Sequence, residues 1–282
     1  MLDSGDVVAI VACSNAERED YKNKINNLIN ELSNLNIKCI LGKHIFSKDS
    51  IYAGTPKEKA DDLINFYKDN KIKAIFDISG GDIANEVMMY LDFDEIKNNY
   101  KPFFGYSDLT TIINGLYTKT KKEQYLYQIR NLIYDYKDTQ ILRFNKSLLK
   151  GKDDLFNFEY EFVKGNSMKG IMIGGNIRCF LKLAGTSHMP DFNGKILFLE
   201  AYSGSQAKII SYLSQLNEMG AFSKVSGILF GTFLELSQNN ISIRDIAMDF
   251  FCDRNINIAI TEEIGHKTNS KALIIGKEYI LN

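Results

Sequence analysis

The sequence predicts an α/β protein, and three observations carry that expectation. Apolar runs of strand length alternate with amphipathic segments through the first half, "TPKEKADDLINFYKDN" opens as a helix should, and the second half repeats strand and helix in a less regular order. "DVVAIVACS" reads as a buried strand, and Ile25, Leu28, Ile29 and Leu32 mark a helix over about Glu19 to Leu35. "IKCILGKHIF" is the next strand; Thr55 then caps a helix whose first position is Pro56. "IKAIFDISGGD" is a strand ending on a glycine pair, "IANEVMMYLDFDEIKNN" a helix, and "KPFFGYSD" a strand that enters the helix of Leu109, Ile112, Ile113 and Leu116. This rhythm implies a parallel sheet covered by helices on its faces.

From about Lys119 to Phe162 the pattern is irregular. "YLYQIRNLIYDY" reads as an aromatic helix, and the polar stretch after it as the crossing between two domains, residues 1–150 and 151–282. Beyond it, "MKGIMIGGNIRCFLKLAGTS" is a strand, a glycine pair and a helix; "GKILFLEAYSG" is an apolar strand reaching Glu200. "QAKIISYLSQLNEMG" is an amphipathic helix, "VSGILFGTF" a buried strand, and "INIAI" a strand that exits into the loop of His266. "KALIIGKEYILN" closes the chain as two short strands around a turn.

Composition narrows the function. A chain of 282 residues fits two domains, and 45% apolar with 24% charged residues describes a globular protein. Lys+Arg of 34 against Asp+Glu of 35 leaves a charge of -1, without the basic stripe that nucleic-acid binding requires. The run "VVAIVA" is too short and wrongly flanked for a signal peptide or membrane span. Cys13, Cys39, Cys179 and Cys252 stand far apart with no CxxC, which argues against structural zinc and for free thiols in a reducing cytoplasm. The glycine pair is neither GxGxxG nor part of a GxxxxGK[ST] motif, so no nucleotide cofactor is expected, and no metal.

Ligands of open α/β sheets gather where strands run into helices, and Gly80-Gly81 and Ser107 both stand at such ends. Ser107 is either a helix cap or a nucleophile on a tight elbow. A nucleophilic serine needs a base. Among His44, His188 and His266, only His266 follows a glycine at the end of an apolar strand. The base needs an acid to orient it, and Glu200 ends "KILFLE", where a carboxylate is costly unless partnered. The alternative keeps Ser107 as a cap and Glu200 as a ligand contact in a non-catalytic binding protein on the same scaffold.

The ordered set "SGGD" (79–82), "GYSDLT" (105–110), "GGN" (174–176) with "GT" (185–186), "GKILFLE" (194–200) and "GH" (265–266) resembles the LD-carboxypeptidase family of serine peptidases, which includes the microcin C immunity peptidases. The resemblance spans nearly the whole chain. It implies a Rossmann-like N-terminal domain and a smaller mixed α/β C-terminal domain, a metal-free hydrolase without cofactor, a cytoplasmic location and a homodimer. It also implies Ser107 as nucleophile, Glu200 as triad acid, His266 as general base, and the backbone N–H groups of Gly81 and Asp108 as oxyanion hole. The implied substrate is a small peptide: a murein tetrapeptide losing D-alanine or, as in the immunity peptidases, a peptidyl or aminoacyl nucleotide. Arg130, Arg178 and Asn176 are the candidates to hold it. One departure stands out: where many members carry a His-Gly-Pro stretch, this chain has "KKEQYLYQIRNLIYDY", so an aromatic helix is expected to alter substrate preference.

Overall fold

The computed structural model describes residues 1–282. Strands β1 (Val7–Val11), β2 (Glu17–Arg18), β3 (Lys38–Leu41), β4 (Phe46–Ser47) and β5 (Ile72–Asp77) alternate with α1 (Lys22–Asn34) and α2 (Pro56–Lys68). Helix α3 (Phe93–Asn98) leads to β6 (Phe103–Gly105), the Ser107 turn, α4 (Thr110–Thr120) and β7 (Gln124–Leu126). Helix α5 (Lys137–Phe144) begins the crossing. Next come β8 (Glu161–Lys164), β9 (Met168–Asn176), α6 (Ile177–Leu181), β10 (Ile196–Ala201), α7 (Gln206–Glu218), β11 (Gly227–Phe233), α8 (Leu234–Gln238), α9 (Ile243–Phe250) and β12 (Asn257–Ile260). Strands β13 (Leu273–Ile275) and β14 (Glu278–Leu281) end the chain.

The first sheet has the order β13-β7-β6-β5-β1-β3 and is parallel except where β13 meets β7. The second, β14-β9-β10-β11-β12-β8, has a parallel centre with an antiparallel strand at each edge. The α/β architecture with a parallel first sheet and a mixed second one is the one the sequence predicts. Local signals explain the elements: Thr55 and Glu58 form a reciprocal capping box ahead of Pro56, and α1 buries the Ile25, Leu28 and Leu32 stripe.

Helix α4 joins the two sheets. It is buried on nearly every side, Thr110 to Tyr117 without a break, because one face packs under the first sheet and the other meets the second. Asn114 donates from Nδ2 to the Gly174 carbonyl at 2.8 Å and accepts from its N–H at 2.9 Å, while the Asn176 N–H donates to Thr110 Oγ1 at 3.0 Å. A Cβ at Gly175 would lie 2.6 Å from Thr110 Oγ1, so the glycine permits this close approach. Asn176 is in register with Glu200 on β10, so the docking of α4 sets Glu200 relative to the turn that precedes α4.

Two local expectations are corrected. The segment 125–136 is no α-helix: Tyr125 and Leu126 lie in β7, paired on both sides by β6 and β13, and one 3-10 turn over Ile129–Ile133 follows. Sheet pairing there satisfies the backbone and overrides the helical spacing. The stretch after Gly81 is a 3-10 turn (Ala84–Tyr90) followed by the short α3. The two short strands around a turn that close the chain are present as expected; β13 joins the first sheet and β14 the second. No helix of the chain is long and apolar enough to cross a membrane.

Candidate active site

The chain leaves β6 through an extended Tyr106 and turns at Ser107, whose φ of 56° is left-handed. A non-glycine residue pays about 1–2 kcal/mol for that conformation, so the surroundings must hold it in place. Asp108 supplies the hold. Its fully buried carboxylate accepts from Ser14 Oγ at 2.7 Å, from the Ala84 N–H at 2.9 Å and from Lys182. Ser107 caps nothing with its side chain, and its residue faces a cavity of about 240 Å³.

The second sheet brings the other two residues. Glu200, the second-last residue of β10, is completely buried, and its Oε2 lies 2.6 Å from His266 Nδ1. A carboxylate in that position needs the imidazole: its other oxygen has no protein partner. His266 Nε2 is buried and likewise unpartnered, and His266 lines the same cavity as Ser107. Two tyrosines flank the imidazole, Tyr106 edge-on at 4.7 Å and Tyr202 at 5.2 Å between ring centroids. Burial, and then the Glu200 charge, push the Tyr106 phenol well up. Gly265 lets His266 sit where it does, because a Cβ there would lie 1.7 Å from Thr232 Oγ1.

The remaining candidates divide. Arg130 lines the cavity, but its guanidinium already pairs with Glu17 at 2.8 Å. Burial raises the Glu17 carboxyl above its ordinary value even though Arg130 opposes that shift. Arg178 does not line the cavity: it pairs with Asp82 and donates to the Gly81 carbonyl at 3.1 Å, bracing the Gly80–Asp82 turn. Asn176 also lies outside it, since its side chain caps α6 by accepting from the Cys179 N–H at 3.3 Å. The cavity wall takes in Ser79, Gly80 and Ser107 but not Gly81 or Asp108, which directly follow Gly80 and Ser107 in the chain. His44 pairs with Asp62 at 3.0 Å and His188 packs on Phe93, both away from the cavity.

Sequence reasoning did not single out Tyr106, Tyr202, Ser14 or Lys182. Tyr106 could have been found as the residue before the serine; nothing local marks Ser14 or Lys182, because their partners are distant in sequence. The 127–134 segment contributes Tyr127, Gln128, Asn131 and Tyr134 to the wall, so it shapes the cavity as a strand exit and a 3-10 turn.

A serine on a left-handed elbow, an imidazole fixed by a buried carboxylate, and backbone amides at two strand ends are the parts of an acyl-transfer site. The chain is 26% identical to a probable murein peptide carboxypeptidase of Bacillus subtilis over 100% of its own length and 90% of the relative's. It is also 26% identical to the microcin C7 self-immunity protein MccF of Escherichia coli, covering 80% of this chain and 75% of that one. A solved structure of MccF in complex with aspartyl sulfamoyl adenosine superposes with a TM-score of 0.88 at 23% identity, covering 99% of this chain and 93% of that chain, and so shares the fold. The family models described as LD-carboxypeptidase N-terminal domain and LD-carboxypeptidase C-terminal domain match residues 8–127 and 169–281. With both matched in order along its length, the chain belongs to the LD-carboxypeptidase family and is a serine carboxypeptidase-like enzyme.

Proposed function

We propose that Ser107 attacks a peptide-type amide next to a substrate C-terminus and that the reaction is release of D-alanine from a murein tetrapeptide. The observation that carries this reading is the buried pair of Glu200 and His266 at 2.6 Å, with the free Nε2 in the cavity that Ser107 lines. His266 Nε2 takes the Ser107 proton as Oγ attacks the carbonyl carbon. Glu200 holds the tautomer and offsets the imidazolium charge, and the amides of Gly81 and Asp108 receive the oxyanion. His266 then protonates the leaving amine. Water, deprotonated by the same imidazole, hydrolyses the acyl-serine ester. In this reading residues 1–150 carry the nucleophile and 151–282 the acid and base, and Arg130, which shares the cavity wall with Lys267 and Lys271, is the cation assigned to the substrate carboxylate. Arg178 and Asn176, engaged in the Gly81–Asp82 turn and the α6 cap, serve substrate binding only through those elements.

A second reading has one observation in its favour. Tyr127, Tyr134 and Tyr202 give the cavity an aromatic wall that suits a planar leaving group, as in the aminoacyl sulfamoyl nucleosides bound by MccF. We take the protein to act as a homodimer in the cytoplasm, where such peptides and nucleotides are found; light scattering measures the first and fractionation the second. The test is mass spectrometry of murein tetrapeptide incubated with wild type and with Ser107→Ala. Loss of one D-alanine with wild type alone supports the first reading. An intact tetrapeptide together with cleaved aspartyl sulfamoyl adenosine supports the second. Turnover by Ser107→Ala equal to wild type refutes both, and no turnover of either compound by wild type leaves the binding protein.

A further inference from the structure

We propose that Lys182 and Ser14 are positioning residues that tie the Asp108 carboxylate to the Gly80–Asp82 turn, so that the Gly81 and Asp108 amides meet the developing oxyanion as one preset pair. The proposal rests on the reading of Ser107 as nucleophile.

Two straps connect the strand end at β5 with the strand end at β6. The first is a buried chain of hydroxyls. Ser79 Oγ donates to Asp77 at 2.6 Å and accepts from the Ser14 N–H at 2.9 Å, and Ser14 Oγ donates to Asp108 at 2.7 Å. Asp77 anchors its far end, accepting the N–H groups of Cys13 and Ser79 at 2.8 Å each. The second strap is one cation. Lys182 Nζ donates to the Asp82 carbonyl at 2.7 Å and to the Asp108 carboxylate.

The residues at the ends of these straps are what makes them more than packing. Asp108 directly follows the nucleophile and carries one proposed oxyanion amide; Asp82 directly follows Gly81, which carries the other. Asn15 adds a clip of its own, its N–H on the Gly80 carbonyl at 3.1 Å and its Oδ1 on the Asp82 N–H at 3.0 Å. Donors aimed at developing charge lose effect when displaced by a fraction of an ångström. Lys182 also reaches the elbow from the second half, directly after α6, so it sets the pair against the part of the molecule that supplies His266. A buried carboxylate without a cation is costly, and the left-handed Ser107 persists only where its surroundings over-determine it; Lys182 meets both needs.

The test compares Lys182→Met, Lys182→Arg, Ser14→Ala and Ser107→Ala with wild type, by steady-state kinetics on the cleaved substrate and by the rate at which a fluorophosphonate labels Ser107. Lys182→Met is expected to lower kcat about 10- to 100-fold with KM within about twofold, because the loss falls on the transition state. Lys182→Arg, which keeps a cation with several N–H donors at this position, is expected to recover to within about threefold of wild type. Ser14→Ala removes one hydroxyl and carries the test if Lys182→Met fails to fold; its expected loss is about threefold to tenfold in kcat. Labelling rates should fall in the same order. Wild-type kcat and labelling in both Lys182→Met and Ser14→Ala, with Ser107→Ala inactive, would overturn this inference alone, as would a rise in KM at unchanged kcat. Activity in Ser107→Ala would remove the nucleophile reading itself.

Discussion

The turn that carries Ser107 and the loop that carries His266 deliver side chains to one cavity by opposite means. The elbow is held by buried charge: a single carboxylate, Asp108, gathers a hydroxyl, an amide and an ammonium in the space between β6 and α4. The loop between β12 and β13 has no regular structure and is held by dispersed hydrogen bonds. The Gly265 N–H donates to Ser270 Oγ at 3.0 Å, the Lys271 N–H to the Glu263 carbonyl at 2.8 Å, and Gln140 of α5 donates to the carbonyls of Thr268 and Ser270 at 3.0 and 2.7 Å. The difference teaches where each position is vulnerable. Single polar deletions should disturb the elbow abruptly, whereas the loop should yield in small steps except where a side chain collides.

The largest effect tests the buried carboxylate that holds the loop's histidine. Glu200→Gln should leave the fold intact and lower kcat about 10³- to 10⁴-fold, since an amide neither stabilises the imidazolium nor enforces the tautomer; a loss below about tenfold in a rate assay would separate Glu200 from the chemistry. Next comes the collision. Gly265→Ala, with its Cβ driven onto Thr232 Oγ1, should cost about 1–3 kcal/mol in a urea melt and displace His266. A variant as stable as wild type would show that the loop gives way freely.

The elbow makes the reverse prediction. Ser107→Gly removes the penalty of a left-handed serine, so the inactive variant should be about 1 kcal/mol more stable than wild type. A destabilised variant would mean that the hydroxyl contributes more than the strain removes. The smallest effect depends on pH. Burial works to raise the Glu263 carboxyl, but hydrogen bonds from Lys271 and from the Glu159 N–H, with the Lys271 and Arg143 charges, outweigh it and lower the value. A lowered carboxylate stabilises the fold above its unfolded value of about 4.5, and that contribution is lost as pH falls through the folded value. Glu263→Gln should therefore be less stable at pH 7, by under about 1 kcal/mol given its exposure, and the difference should shrink toward pH 4.

Much of this was legible along the chain. The strand–helix alternation, the Thr55 cap and the apolar strand ending on Glu200 are local signals, and the sheets assemble from them. Ser107, Glu200 and His266 could be singled out because each is the odd residue in its setting: a serine at a corner, an acid in an apolar strand, a histidine beside a glycine. The failures come from pairing at a distance. Tyr125–Tyr136 has helical spacing, yet β13, more than 140 residues later in the chain, claims its start for the sheet. Arg178 reads as a free cation until Asp82 is seen beside it, and Asn176 as a polar contact until α6 is seen above it. Ser14 and Lys182 are unremarkable in sequence because what gives them a role is the meeting of β1, α6 and the elbow around one carboxylate.

The central claim is that Ser107 and His266 act as one unit. The most direct measurement is D-alanine release from murein tetrapeptide by Ser107→Ala, His266→Ala and the double variant, each shown to be folded. Each single change should cost about 10³-fold or more, and the double variant should be no slower than the slower single one. Losses that multiply, or a Ser107→Ala within about tenfold of wild type, would contradict it.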